Sequence, residues 1–325
     1  MTIKKAILPA MISALLATSA QAANVYDVDG VSADVYGRMQ FDISDDGTDT
    51  DGTGSARMGF KGKSVINDDL SAIAKGEWQI AAENSGKDDK QFAARHLYAG
   101  FASADYGTLI FGQTDTAFYQ AVAATDIYNT YGYGAFGNVE DGRQEGQIIY
   151  TGEFAGVYVG ASYQFQDDQF ANPNEDDDDS TDDATTTLDN SYALTLGYSI
   201  ADVAVYAGYH VEQFADLENK ENYAVSASYV LGDLYLAAVF AGSQQDDVAD
   251  YQGYDLFASY NFDATKVFGG YTFQENTETD EDTFEAVTLG AEYAFNEQLK
   301  TWIEYQADMI SGNDDAVTVA LQYNF

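Results

Sequence analysis

The sequence predicts an all-β fold: a sixteen-stranded antiparallel transmembrane β-barrel with short turns on one rim, long loops on the other and a third loop folded inward. Three observations predict it. The chain closes on AVTVALQYNF, a strand with one apolar face that finishes on an aromatic. It opens on an export signal, and no later stretch supplies the roughly 18 apolar residues that a membrane-spanning helix needs. Between these ends, polar and apolar residues alternate in segment after segment.

The closing strand comes first. Val317, Val319, Leu321, Tyr323 and Phe325 share one parity, and Thr318, Gln322 and Asn324 share the other. Side chains alternate across a strand, so one face is apolar and the other polar. An outward face that must match hydrocarbon up to an aromatic interface suits this pattern. The ending resembles the closing strand of bacterial outer-membrane barrels, in which a terminal Phe with apolar residues at every second position is the assembly signal. At the other end, Lys4 and Lys5 precede an apolar run from Ala6 to Thr18, and Ala20-Gln21-Ala22 is a small-x-small cleavage site. Residues 1–22 therefore read as a secretory signal peptide. Residues 23–325 form a single barrel domain without a linker.

Composition agrees. There is no Cys, so neither disulfides nor thiolate chemistry is available. Pro occurs twice, at Pro9 in the leader and Pro173 in a polar loop. A chain that commits its backbone N–H groups to ladders has little room for proline. Tyr numbers 25 and Phe 19, rings suited to interfacial girdles. The net charge of −40 excludes nucleic acid as a partner. The acids cluster in connectors, where they are solvated and where they would concentrate cations at a pore mouth.

Sixteen alternating segments follow: 31–42, 55–64, 70–83, 91–103, 107–114, 144–151, 155–166, 190–200, 203–213, 222–231, 234–243, 252–262, 266–276, 284–295, 299–310 and 316–325. In the first, Val35, Gly37, Met39 and Phe41 oppose Tyr36, Arg38, Gln40 and Asp42. In the third, Ala72, Ala74, Gly76, Trp78 and Ile80 oppose Lys75, Glu77 and Gln79. Neither pattern could bury both faces in a dry core, whereas lipid outside and water inside accommodates both. Connections alternate in kind. Short turns such as Ala201-Asp202 and Gly232-Asp233 belong on the periplasmic rim. Long, mostly acidic connectors at 43–54, 84–90, 115–143, 167–189, 214–221, 244–251, 277–283 and 311–315 belong on the extracellular rim.

The connector 115–143 departs from the acidic type. It holds Phe118, Tyr119, Val122, Ile127, Tyr128, Tyr131, Tyr133, Phe136 and Val139, a density of apolar groups that wants burial. The interior of a sixteen-stranded barrel has room for it. It is expected to fold inward, pack on the inner wall and narrow the channel. The four arginines, Arg38, Arg57, Arg95 and Arg143, all lie on early, contiguous strands. Parity puts Arg38 and Arg57 on the polar face and leaves Arg95 ambiguous. The inward loop offers Asp115, Asp126, Glu140 and Asp141. A basic wall facing an acidic loop would set a transverse field across the constriction.

The segments VYGRMQFD (Val35–Asp42), SARMGFKGK (Ser55–Lys63), RHLYAGFASADYGTLIFGQ (Arg95–Gln113) and the closing YNF resemble general-diffusion porins of Gram-negative bacteria. The resemblance runs along the whole exported chain. It implies a homotrimer in the outer membrane, in contact with lipid and lipopolysaccharide and inserted by the barrel-assembly machinery. It also implies passive diffusion of small hydrophilic solutes and ions, with Arg38, Arg57, Arg95 and Arg143 as the basic side of the constriction. The family's third loop carries two acids; here Asp126 keeps the first and Thr130 stands at the second. Gln113 stands at a position basic in the family. The constriction is thus expected to lose one charge of each sign.

Other motifs carry no function. Gly132-x-Gly134-x-x-Gly137 matches a dinucleotide fingerprint but has no strand–turn–helix around it. Asp49-x-Asp51-Gly52 lacks the remaining ligands of a calcium loop. His96 and His210 are the only histidines and form no metal pair or triad by spacing. No cofactor, metal or enzymatic step is expected. The net acid argues for a cation-preferring pore. The alternatives are a solute-specific porin and an adhesive or structural barrel.

Overall fold

The computed structural model of the protein describes residues 22–82, 92–132, 134, 136, 139, 143–171, 185–246 and 248–325. All of the expected signal peptide except Ala22 lies outside them. The strands are β1 (Ala23–Val28), β2 (Val31–Asp45), β3 (Thr50–Val65), β4 (Leu70–Ala81), β5 (Phe92–Ser103), β6 (Gly107–Asp115), β7 (Arg143–Phe154), β8 (Val157–Gln164) and β9 (Asp167–Ala171). They continue with β10 (Thr185–Ile200), β11 (Val203–Phe214), β12 (Lys220–Leu231), β13 (Leu234–Gln244), β14 (Tyr251–Phe262), β15 (Thr265–Asn276), β16 (Glu281–Ala294), β17 (Leu299–Asp308) and β18 (Ala316–Asn324). One short helix, α1 (Tyr119–Val122), follows β6.

Sequential strands pair antiparallel from β2 onward, and β18 pairs with β2, which closes the cylinder. β8 and β9 both pair with β10 and make one wall strand interrupted at 165–166. The wall therefore has the sixteen positions expected. β1 was not among the segments read from sequence, because its six residues are too few to span a bilayer. It pairs with β2 from Ala23↔Val35 to Val28↔Val31. β18 covers the rest of β2, down to Asn324↔Arg38. Phe325 then exchanges two backbone hydrogen bonds with Gly37, at 2.9 and 3.0 Å. The two chain ends thus share one wall position, head to tail. A Cβ on Gly37 would lie 2.5 Å from the Phe325 ring and 2.6 Å from the Arg57 carbonyl, so a side chain there would force the seam to shift.

Facing follows parity. In β18, Val319, Leu321 and Tyr323 point out while Thr318, Ala320, Gln322 and Asn324 are buried inside. In β10, Leu194, Leu196, Tyr198 and Ile200 point out against Ser191, Ala193 and Thr195. Exposed large apolar side chains recur on most strands of the wall, a surface that is incompatible with water and matches hydrocarbon.

Several of the acidic connectors are shorter than the sequence suggested. β2 and β3 keep pairing to Asp45↔Thr50, so the expected loop 43–54 shrinks to 46–49. Polar Asp, Thr and Gly residues here satisfy their backbone groups by extending the hairpin above the membrane. Asp46 closes the turn. It accepts hydrogen bonds from the Thr48 hydroxyl and the Asp49 and Thr48 backbone N–H groups, which hold its carboxyl down at about 2.

Candidate functional site: a narrowed lumen

The chain between β6 and β7 turns into the barrel, as its aromatic content required. The backbone N–H of Ala117 bonds Ser162 Oγ on β8 at 3.1 Å, and α1 follows. Phe118, Val122, Phe136 and Val139 are fully buried. They pack with Ala193, Ala224, Tyr235, Ala237, Val239, Phe257 and Phe268 on the inner wall from β10 to β15. Each such side chain contributes roughly 1.5–3 kcal/mol by leaving water. Small residues on the wall make the approach possible. A Cβ added to Gly208 would lie 2.7 Å from Ala121 Cβ and 3.0 Å from the Phe118 ring.

The tip of the loop is held by a different chemistry. The buried carboxylate of Glu304 on β17 accepts three successive backbone N–H groups, from Asn129 (2.7 Å), Thr130 (3.0 Å) and Tyr131 (3.0 Å). Charge-assisted bonds of this kind are about twice as strong as neutral ones. Trp302 Nε1 donates to Thr130 Oγ1 at 3.0 Å, and Tyr131 pairs with Thr318 through their hydroxyls at 2.7 Å. Tyr235 Oη donates to the Ala124 carbonyl at 2.7 Å. Grease thus fixes the helical part of the loop, and a carboxylate fixes its tip.

Across the lumen, β2 to β7 present a basic arc. Arg38 and Arg57 are register partners on β2 and β3. Side chains so paired have their Cβ atoms about 5 Å apart, so the two like charges are held on one face as neighbours and repel. Among the described residues neither has a carboxylate partner: Arg57 Nε donates to Gln79 at 2.7 Å, and Arg38 has a long contact of 3.5 Å to Gln322. The ambiguity at Arg95 is a β-bulge: Glu77 pairs with His96 and Trp78 with Ala94, which leaves Arg95 as the extra residue. Arg95 and His96 therefore both point inward. Glu77 is the hub of the arc. It receives Arg95 Nε and the Tyr36 hydroxyl, each at 2.9 Å, and Lys75 Nζ lies at 3.7 Å.

Some expectations change here. Asp115 does not belong to the loop facing the arginines. It ends β6, pairs with Arg143 and meets that guanidinium at 3.4 Å, so it neutralises the basic arc locally. Asp126 does lie on the inward loop, where it accepts from the Tyr119 hydroxyl at 2.6 Å and lines the same recess as Arg38. Glu140 and Asp141 lie outside the described residues. Gln113 is not a lumen position. It shares the outward parity of Phe111, pairs with outward-facing Leu97 and donates to the Ala94 carbonyl at 2.9 Å, while its neighbour Thr114 faces inward.

The closed antiparallel barrel is shared with known proteins. Residues 10–314 match the Gram-negative porin family. The chain belongs to it. This porin is 26% identical over 360 residues to Outer membrane porin PhoE of Escherichia coli (strain K12), which covers 99% of this chain and 100% of that protein. It is 30% identical to Outer membrane porin F of Xenorhabdus nematophila over 217 residues, 62% of this chain and 59% of that protein. Salmonella typhi OmpF, solved in complex with daunomycin, shares the fold with a TM-score of 0.81 at 21% identity, over 93% of this chain and 100% of that one. The anion-selective porin from Comamonas acidovorans does so with a TM-score of 0.74 at 15% identity, over 91% and 100%. The protein is an outer-membrane porin that supports passive diffusion.

Several residues that shape the lumen of this porin carry no motif. Glu77 and Lys75 were placed on the polar face of their strand, but nothing in sequence marked Glu77 as the hub. Glu304 is one inward-facing acid among many. Lys266 and Lys300, at the starts of β15 and β17, share the carboxylate of Glu292 on β16 at 3.6 and 2.9 Å. Parity would have put each of them in the lumen; their partners depend on the register between neighbouring strands.

Proposed function

We propose that the pore passes small hydrophilic solutes and ions with a preference for cations at low ionic strength. The observation that carries this is the separation of charge along the barrel. Asp46, Asp49, Asp51, Asp280, Glu281, Asp282, Asp314 and Asp315 are exposed on the loop rim. The bases gather deeper, at the constriction. The rim is the first field a solute meets, and it enriches cations over about a Debye length, roughly 30 Å at 0.01 M salt and 3 Å at 1 M. The preference should therefore fade as salt rises, leaving the basic arc and Asp126 to filter at short range. By family resemblance, the working unit is a homotrimer; a solved relative, OmpT of Vibrio cholerae, is described in a trimer form. Outer-membrane lipid and lipopolysaccharide surround it, and the apolar parity of β18 is the signal read by the assembly machinery.

Planar-bilayer recording on the purified protein tests this reading. A salt gradient between dilute solutions should give a reversal potential of cation-selective sign, shrinking toward zero between concentrated ones. Replacing Arg38, Arg57 and Arg95 together by Gln should strengthen cation preference at every concentration. Anion-selective reversal potentials in dilute salt would overturn the cation preference, and absence of conductance would favour the adhesive or structural alternative.

A further inference from the structure

Beneath the tip of the inward loop, on the side of the short-turn rim, the wall forms a recess. Its lining includes Arg38, Lys266 and Lys300 from three wall strands, Asp126 and Tyr128 from the loop above, and Phe257 from β14. Three cations and one carboxylate thus face one space. Arg38 is under-used: among the described residues its one hydrogen bond is the 3.5 Å contact to Gln322, and its buried Nε is unpartnered. Lys266 shares the carboxylate of Glu292, at 3.6 Å, and its ammonium lies 5.0 Å over the Phe268 ring. Lys300 is spoken for by Glu292 and by Asn129 Oδ1 at 2.8 Å, so it adds field more than donors. Asp126 already accepts from Tyr119. Tyr128 and Phe257 meet edge to face at 4.9 Å and give the recess an apolar side.

We propose that this recess is a saturable binding site for small organic oxyanions, carboxylates or phosphate monoesters with a compact apolar body. The head would lie between the Arg38 guanidinium, which matches a planar or tetrahedral oxyanion with paired N–H donors, and the Lys266 ammonium. The body would rest on Tyr128 and Phe257. The recess opens on the lumen, so the site slows such solutes within the pore without closing it. The proposal rests on the porin reading for its physiological meaning, but it is tested independently of conductance.

Benzoate is the carboxylate probe, phenyl phosphate the phosphate probe and benzylammonium the control of the same shape and opposite charge. Calorimetric titration of the folded full chain in uncharged micelles, against empty micelles, should give saturable heats with either anion and none with benzylammonium. Arg38→Gln and Lys266→Gln should each weaken anion binding about tenfold, with the β-sheet circular dichroism retained. Asp126→Asn removes a repelling carboxylate and should tighten binding a few-fold. Saturable heat with one anion only would decide between the two head groups. No saturable heat from either anion, equal affinity for benzylammonium, or weakening by Asp126→Asn would each overturn the proposal. Loss of conductance with anion binding intact would instead fault the porin reading alone.

Discussion

The two halves of the inner wall solve opposite problems. From β2 to β7, inward positions carry Arg38, Arg57, Lys75, Glu77 and Arg95, few of which have an ideal partner. From β10 to β15, inward positions carry Ala193, Ala224, Ala237, Val239, Phe257 and Phe268, covered by the folded loop. The first arc keeps charges beside water at a cost in repulsion. The second gives up water contact to hold a lid of chain. A lumen cannot be lined uniformly and still have a constriction: one side must be dry enough to anchor what narrows it, and the other wet enough to filter.

Removing the anchor on the dry side should have the largest consequence. Phe118→Ala deletes a fully buried ring and should weaken loop docking by about 3–5 kcal/mol. The outcome should be a larger, noisier single-channel current with the barrel itself intact. A wild-type current would mean that the apolar cluster does not hold the constriction, and the contrast between the arcs would lose its point. A smaller effect is expected from Glu304→Gln. The amide lacks the charge that three backbone donors share, a loss on the order of 2 kcal/mol. Amide hydrogen exchange at Asn129, Thr130 and Tyr131 should quicken about thirtyfold while α1 stays protected. Uniform quickening over the whole loop would show that tip and helix are one unit rather than two.

The wet side should respond in the reverse sense. Arg57→Gln relieves repulsion with Arg38 and breaks only a hydrogen bond to Gln79. The thermal midpoint should move little, within about 0.5 kcal/mol of stability, while the reversal potential shifts toward cations. A marked destabilisation would place Arg57 with the structural residues instead.

How far each arc was legible in sequence differs for a physical reason. On the basic arc, Arg38, Arg57, Lys75 and Glu77 alternate with apolar partners, so the lumen face could be read directly. Arg95 could not be assigned, because a bulge adds a residue and breaks the parity that the reading relies on. Gln113 was placed in the constriction by resemblance, against the outward parity it shares with Phe111. On the dry arc, strands such as β13 are apolar on both faces: Leu236 and Phe240 face lipid while Tyr235 and Val239 face the loop. Alternation weakens there, and the loop's own aromatics, Phe118 and Phe136 among them, became the better signal. Asp115 was misplaced because the end of a strand and the start of a loop have no sequence mark; its pairing with Arg143 made it wall.

Facing, strand number, the direction of the rims and the inward fold of the aromatic connector all follow from local order along the chain, since a side chain's parity and a segment's need for burial require no knowledge of distant partners. Which charges meet, by contrast, was decided only when the cylinder closed. Glu304 reaches the loop tip across more than 170 positions of sequence, and the chain ends join along β2. Those meetings depend on register and on the curvature of the wall, which set distances between residues that no periodicity connects.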